Sequence, residues 1–380
     1  MKVALVHDWL TGYRGGERVL AALCAMYPEA DVFTLVHVPG SVGHGVETHK
    51  IVTSFLQRMP RAKVNYRHYL PLFPLAIEAL DLSGYELVIS TSHAVAKGCR
   101  PAPGAVHVSY VHTPMRYVWD QFDAYFGPGR AGPLVRAAAH AVAPALRAWD
   151  VRSTARIDRL IANSRFVSDR CARFWNRPAD AVVYPPVEID DFTPALLSPD
   201  ERSPTGRALI VSALVPYKRV DLAIRAFAQA RRRLLIVGDG PELNSLRALV
   251  QELGEPARGI ELVGPVSFER LAHELAHASF FLLPGEEDFG IAPVEAQAAG
   301  RPVLALGKGG ARETVLEGRT GAFFSEPTVE SLLAALPAID ALAQTADPKA
   351  IRAHAATFAA ARFAPELQAQ IDLALSARAK

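Results

Sequence analysis

RLLIVGDGPELNSLRALVQELGEPARGIELVGPV, residues 233–266, decides the fold class. Its two ends, RLLIVGDG (233–240) and GIELVGPV (259–266), are short apolar runs bounded by glycine and proline, as buried strands are. Between them PELNSLRALVQELG (241–254) sets leucine and valine three and four apart, the spacing of one apolar helix face. A strand, a helix and a strand in so short a span make a βαβ unit, whose strands lie parallel in one sheet.

The same alternation extends in both directions. Upstream, VALVHDW (3–9), ADVFTLV (30–36), HKIVTSF (49–55), YELVIST (85–91), AVHVSYVHT (105–113) and RLIANS (159–164) read as strands of a first half. A second set is RALIVSAL (207–214), the two runs of 233–266, SFFLLPG (279–285), RPVLALG (301–307) and TGAFFS (320–325). Helical periodicity fills GERVLAALCAMY (16–27), RVDLAIRAFAQARR (219–232) and SFERLAHELAHAS (267–279). The fold class is therefore α/β, two Rossmann-like, doubly wound parallel-sheet domains. Their join lies in VVYPPVEIDDFTPALLSPDERSPTGR (182–207), where prolines and acidic residues replace periodic structure. This gives a first domain over 1–186 and a second over 187–364, with the helical stretch 365–380 packing back on the first. Ligands of such sheets sit at the carboxyl ends of the strands, and the cleft between the two domains is the default site.

Composition narrows the function. The 41 Lys and Arg against 39 Asp and Glu leave a net charge of +2, which argues against nucleic acid as the main partner. Half the residues are hydrophobic and 21% charged, enough for a large core and far from a disordered composition. Cys24, Cys99 and Cys171 are odd in number and widely spaced, giving neither a disulfide framework nor a zinc site. With a strand already at MKVALVHDW and no apolar run long enough to span a bilayer, a cytoplasmic protein is expected, with room for peripheral contact at the inner face of the membrane.

The densest chemistry lies in PGEEDFGIAPVEAQAAGRPVLAL (284–306). A strand ends at Pro284 and Gly285, a loop carries Glu287 and Gly290, and Pro293 suits the first turn of a helix closed by Gly300. Glu287 precedes that helix and Glu295 falls in its first turn. Free N–H groups at a helix start attract phosphate, and carboxylates accept sugar hydroxyls. The plainer alternative is that Glu295 complements the helix dipole and Glu287 is a loop charge.

EDFGIAPVE (287–295), followed by AQAAGRPVLALGKGGARETV (296–315), resembles the retaining nucleotide-sugar glycosyltransferases of family 4, which have the GT-B fold. GYRGGERVL (12–20), YVHTP (110–114), IANS (161–164), YPPVEIDDF (184–192), SALVPYKRVDLAI (212–224) and VGDGPELNSL (237–246) fall in the family's order along nearly the whole chain. The resemblance implies that Glu287 contacts donor-sugar hydroxyls and Glu295 the nucleotide ribose, with the backbone around Phe289, Gly290 and Ile291 facing sugar and diphosphate. It implies Lys218 at the phosphates and backbone near Val266 at the base. The family's phosphate-binding Arg is here Ala213, and Arg219 is proposed as the second cation, the alternative being a solvated helix-start residue. Gly15 and Gly16 follow the first strand in a loop where backbone approaches phosphate closely. His112, at the end of its strand, lies by the resemblance near the reacting sugar, either neutral on a hydroxyl or protonated against phosphate. Asn163 and Ser164 are weaker candidates, equally readable as a helix cap. Gly238 and Gly240 read better as a tight turn.

Two first-domain stretches suggest an acceptor. In 58–80, Arg58, Arg61, Lys63 and Arg67 mix with Tyr66, Tyr69 and Phe73, suited to an anionic membrane surface or a lipid-linked phosphate, or else to solvated charges over a core. In 113–129, Tyr117, Trp119 and Phe122 offer faces for a sugar ring, or pack in the core.

No DxD-type carboxylate pair stands at a strand-end metal position, so the expectation is no metal and no cofactor, with the nucleotide sugar as co-substrate. The expected activity is retaining transfer of a hexose to a hydroxyl of a polyprenyl-diphosphate-linked saccharide. SALVPYKR and HDWLTGYRGGERVL are most similar to bacterial mannosyltransferases of surface polysaccharide, including O-antigen and lipopolysaccharide, so GDP-mannose is the first donor, ahead of other nucleotide sugars. The alternatives are a sugar-nucleotide 2-epimerase of the same fold and a non-catalytic sugar-nucleotide-binding subunit.

Overall fold

The computed structural model describes residues 1–127, 131–195 and 206–378. The stretches 113–129, 182–207 and 365–380 thus run partly outside the described residues. The chain divides into two units, one of residues 1–186 with 361–380 and one of residues 187–360.

The first unit is built on seven parallel strands: β1 (Val3–His7), β2 (Asp31–Thr34), β3 (Ile51–Thr53), β4 (Leu87–Ser92), β5 (Val106–Val111), β6 (Arg159–Ala162) and β7 (Ala181–Val182), in the order β3-β2-β1-β4-β5-β6-β7. β1, β4 and β5 are buried along their whole length, which explains their near-continuous apolar sequence. Alternate residues serve opposite faces. Ala4, Val6 and Val88 join a core with Trp9, Phe73 and Trp149. Val3, Leu5, Leu87 and Ile89 face the other way, onto Tyr110, Leu20 and Leu23. The helix Ala360–Arg378 completes that second face with Phe363, Leu367 and Ile371, each fully buried. It begins before Pro365, which lies inside it rather than ahead of it.

The second unit repeats the plan with β8 (Ala208–Val211), β9 (Leu234–Val237), β10 (Ile260–Gly264), β11 (Phe281–Leu283), β12 (Val303–Leu306) and β13 (Gly321–Phe324). All are parallel, in the order β10-β9-β8-β11-β12-β13. Ile210, Ile236, Leu282 and Leu304 meet Phe227 and Phe280 in its core. The strand order reverses between β1 and β4 in one sheet and between β8 and β11 in the other. At such switch points the loops leave to opposite faces and open a crevice at the strands' carboxyl ends.

Every strand read from the sequence is present, and β7 is an addition too short to show periodicity. The 21-residue helix Pro133–Ser153 also escapes the periodicity reading: its buried residues Ala143, Leu146, Trp149, Asp150 and Ser153 occupy only the later half, and Pro144 interrupts it.

Candidate active site

In the second unit, the loops after β8 and β11 meet at the switch point. Gly285 makes this possible, because a Cβ there would stand 2.4 Å from the Tyr217 carbonyl oxygen. The close approach brings Lys218, in the turn Pro216–Lys218, to Glu287, and the Lys218 ammonium donates to Glu287 Oε1. The sequence reading assigned these two residues to different parts of a donor; the structure holds them as an ion pair.

The loop carrying Glu287 is braced from behind by the turn after β12. Gly310 N–H donates to the Glu287 carbonyl at 2.8 Å, and a Cβ on Gly310 would sit 2.5 Å from Asp288 O and Phe289 Cα. Phe289 is buried and meets Phe358 edge-on at 5.6 Å, so its ring serves packing. Gly290, at φ +92°, is the N-cap of the helix Ile291–Ala298. Glu295 is the fifth residue of that helix and buried at 4% exposure, which corrects its placement in the first turn and removes the dipole explanation. Pro293 is within the first turn, and Gly300 follows the helix at φ +75°.

Arg219 is the N-cap of the helix Val220–Gln229, with φ +51°, and its Nε lies 3.3 Å from Asp221 Oδ1. Ala213 is exposed just past β8, and Val266 is half-buried just past β10. Gly238 and Gly240 pack on backbone, where a Cβ would lie 1.9 Å from Ser212 O and 2.4 Å from Leu214 O. They are turn glycines, as the plainer reading had it.

In the first unit, three histidines come together at the switch point. His7 ends β1, His93 follows β4 and His112 follows β5, with ring centroids 5.8 Å apart for His7–His93 and 6.3 Å for His93–His112. Asp8 sets this arrangement. Its two oxygens accept the backbone N–H groups of His93, Ala94, Val95 and Ala96 at 2.6–3.0 Å, which fixes the loop after β4. The same carboxylate faces His93 Nδ1 at 3.2 Å.

His7 Nδ1 is hydrogen-bonded to Thr91 Oγ1, and its Nε2 faces Glu17 Oε1 at 3.8 Å. Burial works against the Glu17 charge, yet His7 and then His93 outweigh it and hold that carboxyl below its usual range. Burial lowers His93, against the opposing pull of Asp8. Burial, reinforced by His93 and His7, pushes His112 well below the ordinary histidine range. This shift favours the neutral ring at His112 in the unliganded protein.

Gly15 and Gly16 open the helix Gly15–Met26 rather than lying in a loop before it. Ser164 is the N-cap of Arg165–Trp175, accepting from Val167 N–H at 3.0 Å, and buried Asn163 accepts from the Ser164 hydroxyl at 3.3 Å. The cap alternative therefore holds for Ser164.

The aromatic stretch after His112 packs inward. Trp119 stacks on Phe174 at 5.0 Å, and Phe122 is buried against Phe126 and His140, so neither offers a free face to a sugar. Tyr117 packs on the same core and against Tyr125 at 6.2 Å. In 58–80, Tyr66 and Phe73 are buried, while Arg58, Arg61, Lys63 and Arg67 are exposed beside Val64 and Leu75.

His7, Asp8, Glu17 and His93 were not singled out in the sequence. The signal the sequence carries is position at strand ends: His7 ends β1 with Asp8 next, and His93 directly follows β4, while the adjacency of β1 and β4 is visible only in the structure.

Two doubly wound parallel-sheet units, each with polar residues gathered at its switch point, define the GT-B class. HepE of Anabaena, solved in complex with UDP, superposes with a TM-score of 0.66 at 18% identity, over 99% of this chain and 100% of that one. Sucrose-phosphate synthase of Thermosynechococcus elongatus gives 0.73 at 20% identity, over 99% and 100%.

Residues 199–350 match the family Glycosyl transferases group 1. The GDP-mannose-dependent alpha-(1-6)-phosphatidylinositol monomannoside mannosyltransferase of Mycolicibacterium smegmatis is 35% identical over 196 residues, which is 46% of this chain and 50% of that protein. The chain thus matches about half the length of that curated relative.

Proposed function

We propose that the protein is a retaining glycosyltransferase that moves a hexose, mannose from GDP-mannose as first donor, to a hydroxyl of a lipid-linked saccharide in surface polysaccharide synthesis. The observation that carries this reading is the Lys218–Glu287 pair at the switch point of the second sheet, inside the segment that matches the group 1 family. A cation and a hydroxyl-accepting carboxylate held side by side are the groups a sugar diphosphate needs. The GDP-mannose dependence of the mycobacterial relative supports the choice of donor.

In this reading Lys218, with Arg219 as a second charge, stabilises the departing diphosphate, a contribution of several kcal/mol when such charges are preorganised. Glu287 holds the donor hydroxyls and Glu295 the ribose. Phe289, Gly290 and Ile291 contribute backbone N–H groups, and Val266 lies by the base. The acceptor hydroxyl attacks on the face the diphosphate leaves, and a phosphate oxygen takes its proton. Because Lys218 and Arg219 supply the positive charge, activity is expected to survive EDTA. The exposed Arg61, Lys63 and Arg67 with Val64 and Leu75 support contact with an anionic membrane that carries the acceptor.

The test is a donor screen with mass spectrometry of the product. Transfer of a hexose from GDP-mannose to a polyprenyl-diphosphate-linked saccharide is the expected result. Release of UDP and free sugar without acceptor would mark an epimerase-like chemistry. Binding without turnover across the acceptor panel would reject the transferase.

A further inference from the structure

A cavity of about 530 Å³ opens at the amino ends of β5 and β6, with Arg100, Pro101, Pro103, Arg156, Asp158 and Arg378 in its lining. The candidate active-site residues of this unit stand at the other end of the same sheet. β5 alone, six residues long, puts roughly 20 Å between the cavity and His112. The volume is that of a small-molecule site, and three guanidiniums reach it from three separate parts of the first unit.

Each wall is held by the chain around it. Residues 100–105 carry two prolines and close in a tight turn, with Gly104 at φ +91° and the Ala105 N–H donating to the Ala102 carbonyl at 3.0 Å. The turn Thr154–Arg156 leads into β6 and is gripped by Arg177, which donates to the carbonyls of Thr154 and Ile157 at 2.6 and 2.9 Å. The third wall is the last turn of the helix Ala360–Arg378. Arg378 Nη1 donates to the Ala105 carbonyl at 2.5 Å and to Asp158 Oδ2 at 3.0 Å, so the helix is tied here to the lead-ins of both strands.

The charge and geometry of these groups decide what the cavity takes. Arg156 Nη1 donates to the Gly98 carbonyl at 2.6 Å and its Nη2 meets Glu78 Oε1 at 2.7 Å, while Arg100 Nη2 meets Glu78 Oε2 at 2.5 Å. These bonds orient the guanidiniums without exhausting them. A guanidinium has five N–H donors, and among the described residues the bonds named use two on Arg156, two on Arg378 and one on Arg100. Three guanidiniums face two carboxylates, Glu78 and Asp158, so positive charge remains. A planar carboxylate takes one fork of donors, whereas a phosphate offers oxygens in several directions and suits donors that arrive from separate walls.

We propose that this cavity binds a phosphate group, carried by a small ester or as the free ion, and that binding clamps the last helix onto the amino ends of β5 and β6. Phe363, Leu367 and Ile371 of that helix cover the first unit's core, so the bound phosphate stabilises the core from the end of the sheet opposite the candidate active site. The proposal needs nothing from the glycosyl-transfer reading and stands or falls apart from it.

The test is hydrogen exchange of the full chain, read by mass spectrometry on peptides of 360–378. Glycerol 3-phosphate or inorganic phosphate, at ten times its dissociation constant, is expected to slow exchange there by about tenfold relative to chloride of equal ionic strength. Protection by either supports the site, and the one that acts at lower concentration identifies the source as ester or free ion. Arg378→Gln, at a side chain 40% exposed, is expected to abolish the protection while leaving exchange in β1 and β4 as in the unliganded protein, and Arg100→Gln, at one 61% exposed, to weaken it. Lys218→Ala, in the other unit, is expected to keep it, which separates this site from any phosphate held beside Glu287. The proposal is overturned if chloride or acetate protects as well as phosphate, if neither phosphate probe protects, or if the protection survives Arg378→Gln.

Discussion

Glu287 and Lys218 neutralise each other in the absence of ligand, so a diphosphate must compete with the carboxylate for the ammonium. Glu287→Gln is therefore expected to abolish turnover while tightening binding of the bare nucleoside diphosphate by up to about fivefold, the worth of a partly exposed ion pair. Lys218→Ala should weaken the diphosphate far more than the nucleoside, and equal losses in calorimetric titrations would refute the phosphate contact. Elsewhere, single residues carry stability alone. Lys97 and Asp150 form a fully buried pair at 3.0 Å, with the Trp119 and Trp175 indole N–H groups also on Asp150. Asp150→Ala strands a buried ammonium and is expected to cost about 3–5 kcal/mol in urea unfolding, whereas Lys97→Met with Asp150→Leu should cost much less. His107 is buried, donating from Nδ1 to the Arg156 carbonyl at 2.9 Å, and burial pushes it down from 6.5 to about 4. The unfolded chain takes up that proton first. Its stabilisation is present above about pH 6.5 and drains as pH falls toward 4, by about 3 kcal/mol in total. Denaturant midpoints measured across that window should fall, and His107→Gln should flatten the slope.

Among the elements, the loop after β11 owes its shape to the turn after β12, which packs backbone on backbone at Gly310. Gly310→Ala must displace the segment carrying Glu287, so kcat should fall by about tenfold or more, with a stability loss of about 1–3 kcal/mol. A retained kcat would show that the brace is not needed. The loop's outline was legible because local chemistry sets it: Pro284 and Gly285 end a strand, and Pro293 suits a helix start. The first unit's site was not legible in the same way. His7 and His93 stand 86 positions apart in the sequence and meet only because β1 and β4 are neighbours. Asp8 looks like an ordinary polar residue after a strand until four N–H groups of a distant loop converge on it. For Trp119 and Phe122 the sequence left a stacking face and core packing both open, and the structure takes the second, with packing partners as remote as Phe174 and His140.

For the whole molecule, the succession of strands and helices along the chain follows from sequence periodicity, whereas the order of the strands within each sheet does not. The return of the last helix was an expectation whose packing partners the sequence did not name, since apolar spacing marks a buried face without saying what covers it. Phe363, Leu367 and Ile371 lie in the same core as Leu5 and Tyr110, on the first unit's sheet, and Tyr27 Oη reaches Gln368 at 2.8 Å. A chain truncated after 359 loses that cover, and by apolar burial about 5 kcal/mol. Its first unit is expected to melt earlier in calorimetry with the second unit's transition unchanged. The same route through the chain imposes an order on synthesis. The first unit emerges from the ribosome nearly whole yet lacks one face of its core until residues 187–360 have been translated, a delay on the order of ten to forty seconds at ~5–20 residues per second. During that interval Leu5 and Tyr110 lack the cover that Phe363, Leu367 and Ile371 provide. The first unit can therefore complete its core only after the second has been made, and the later-made second unit is the one that can finish folding first.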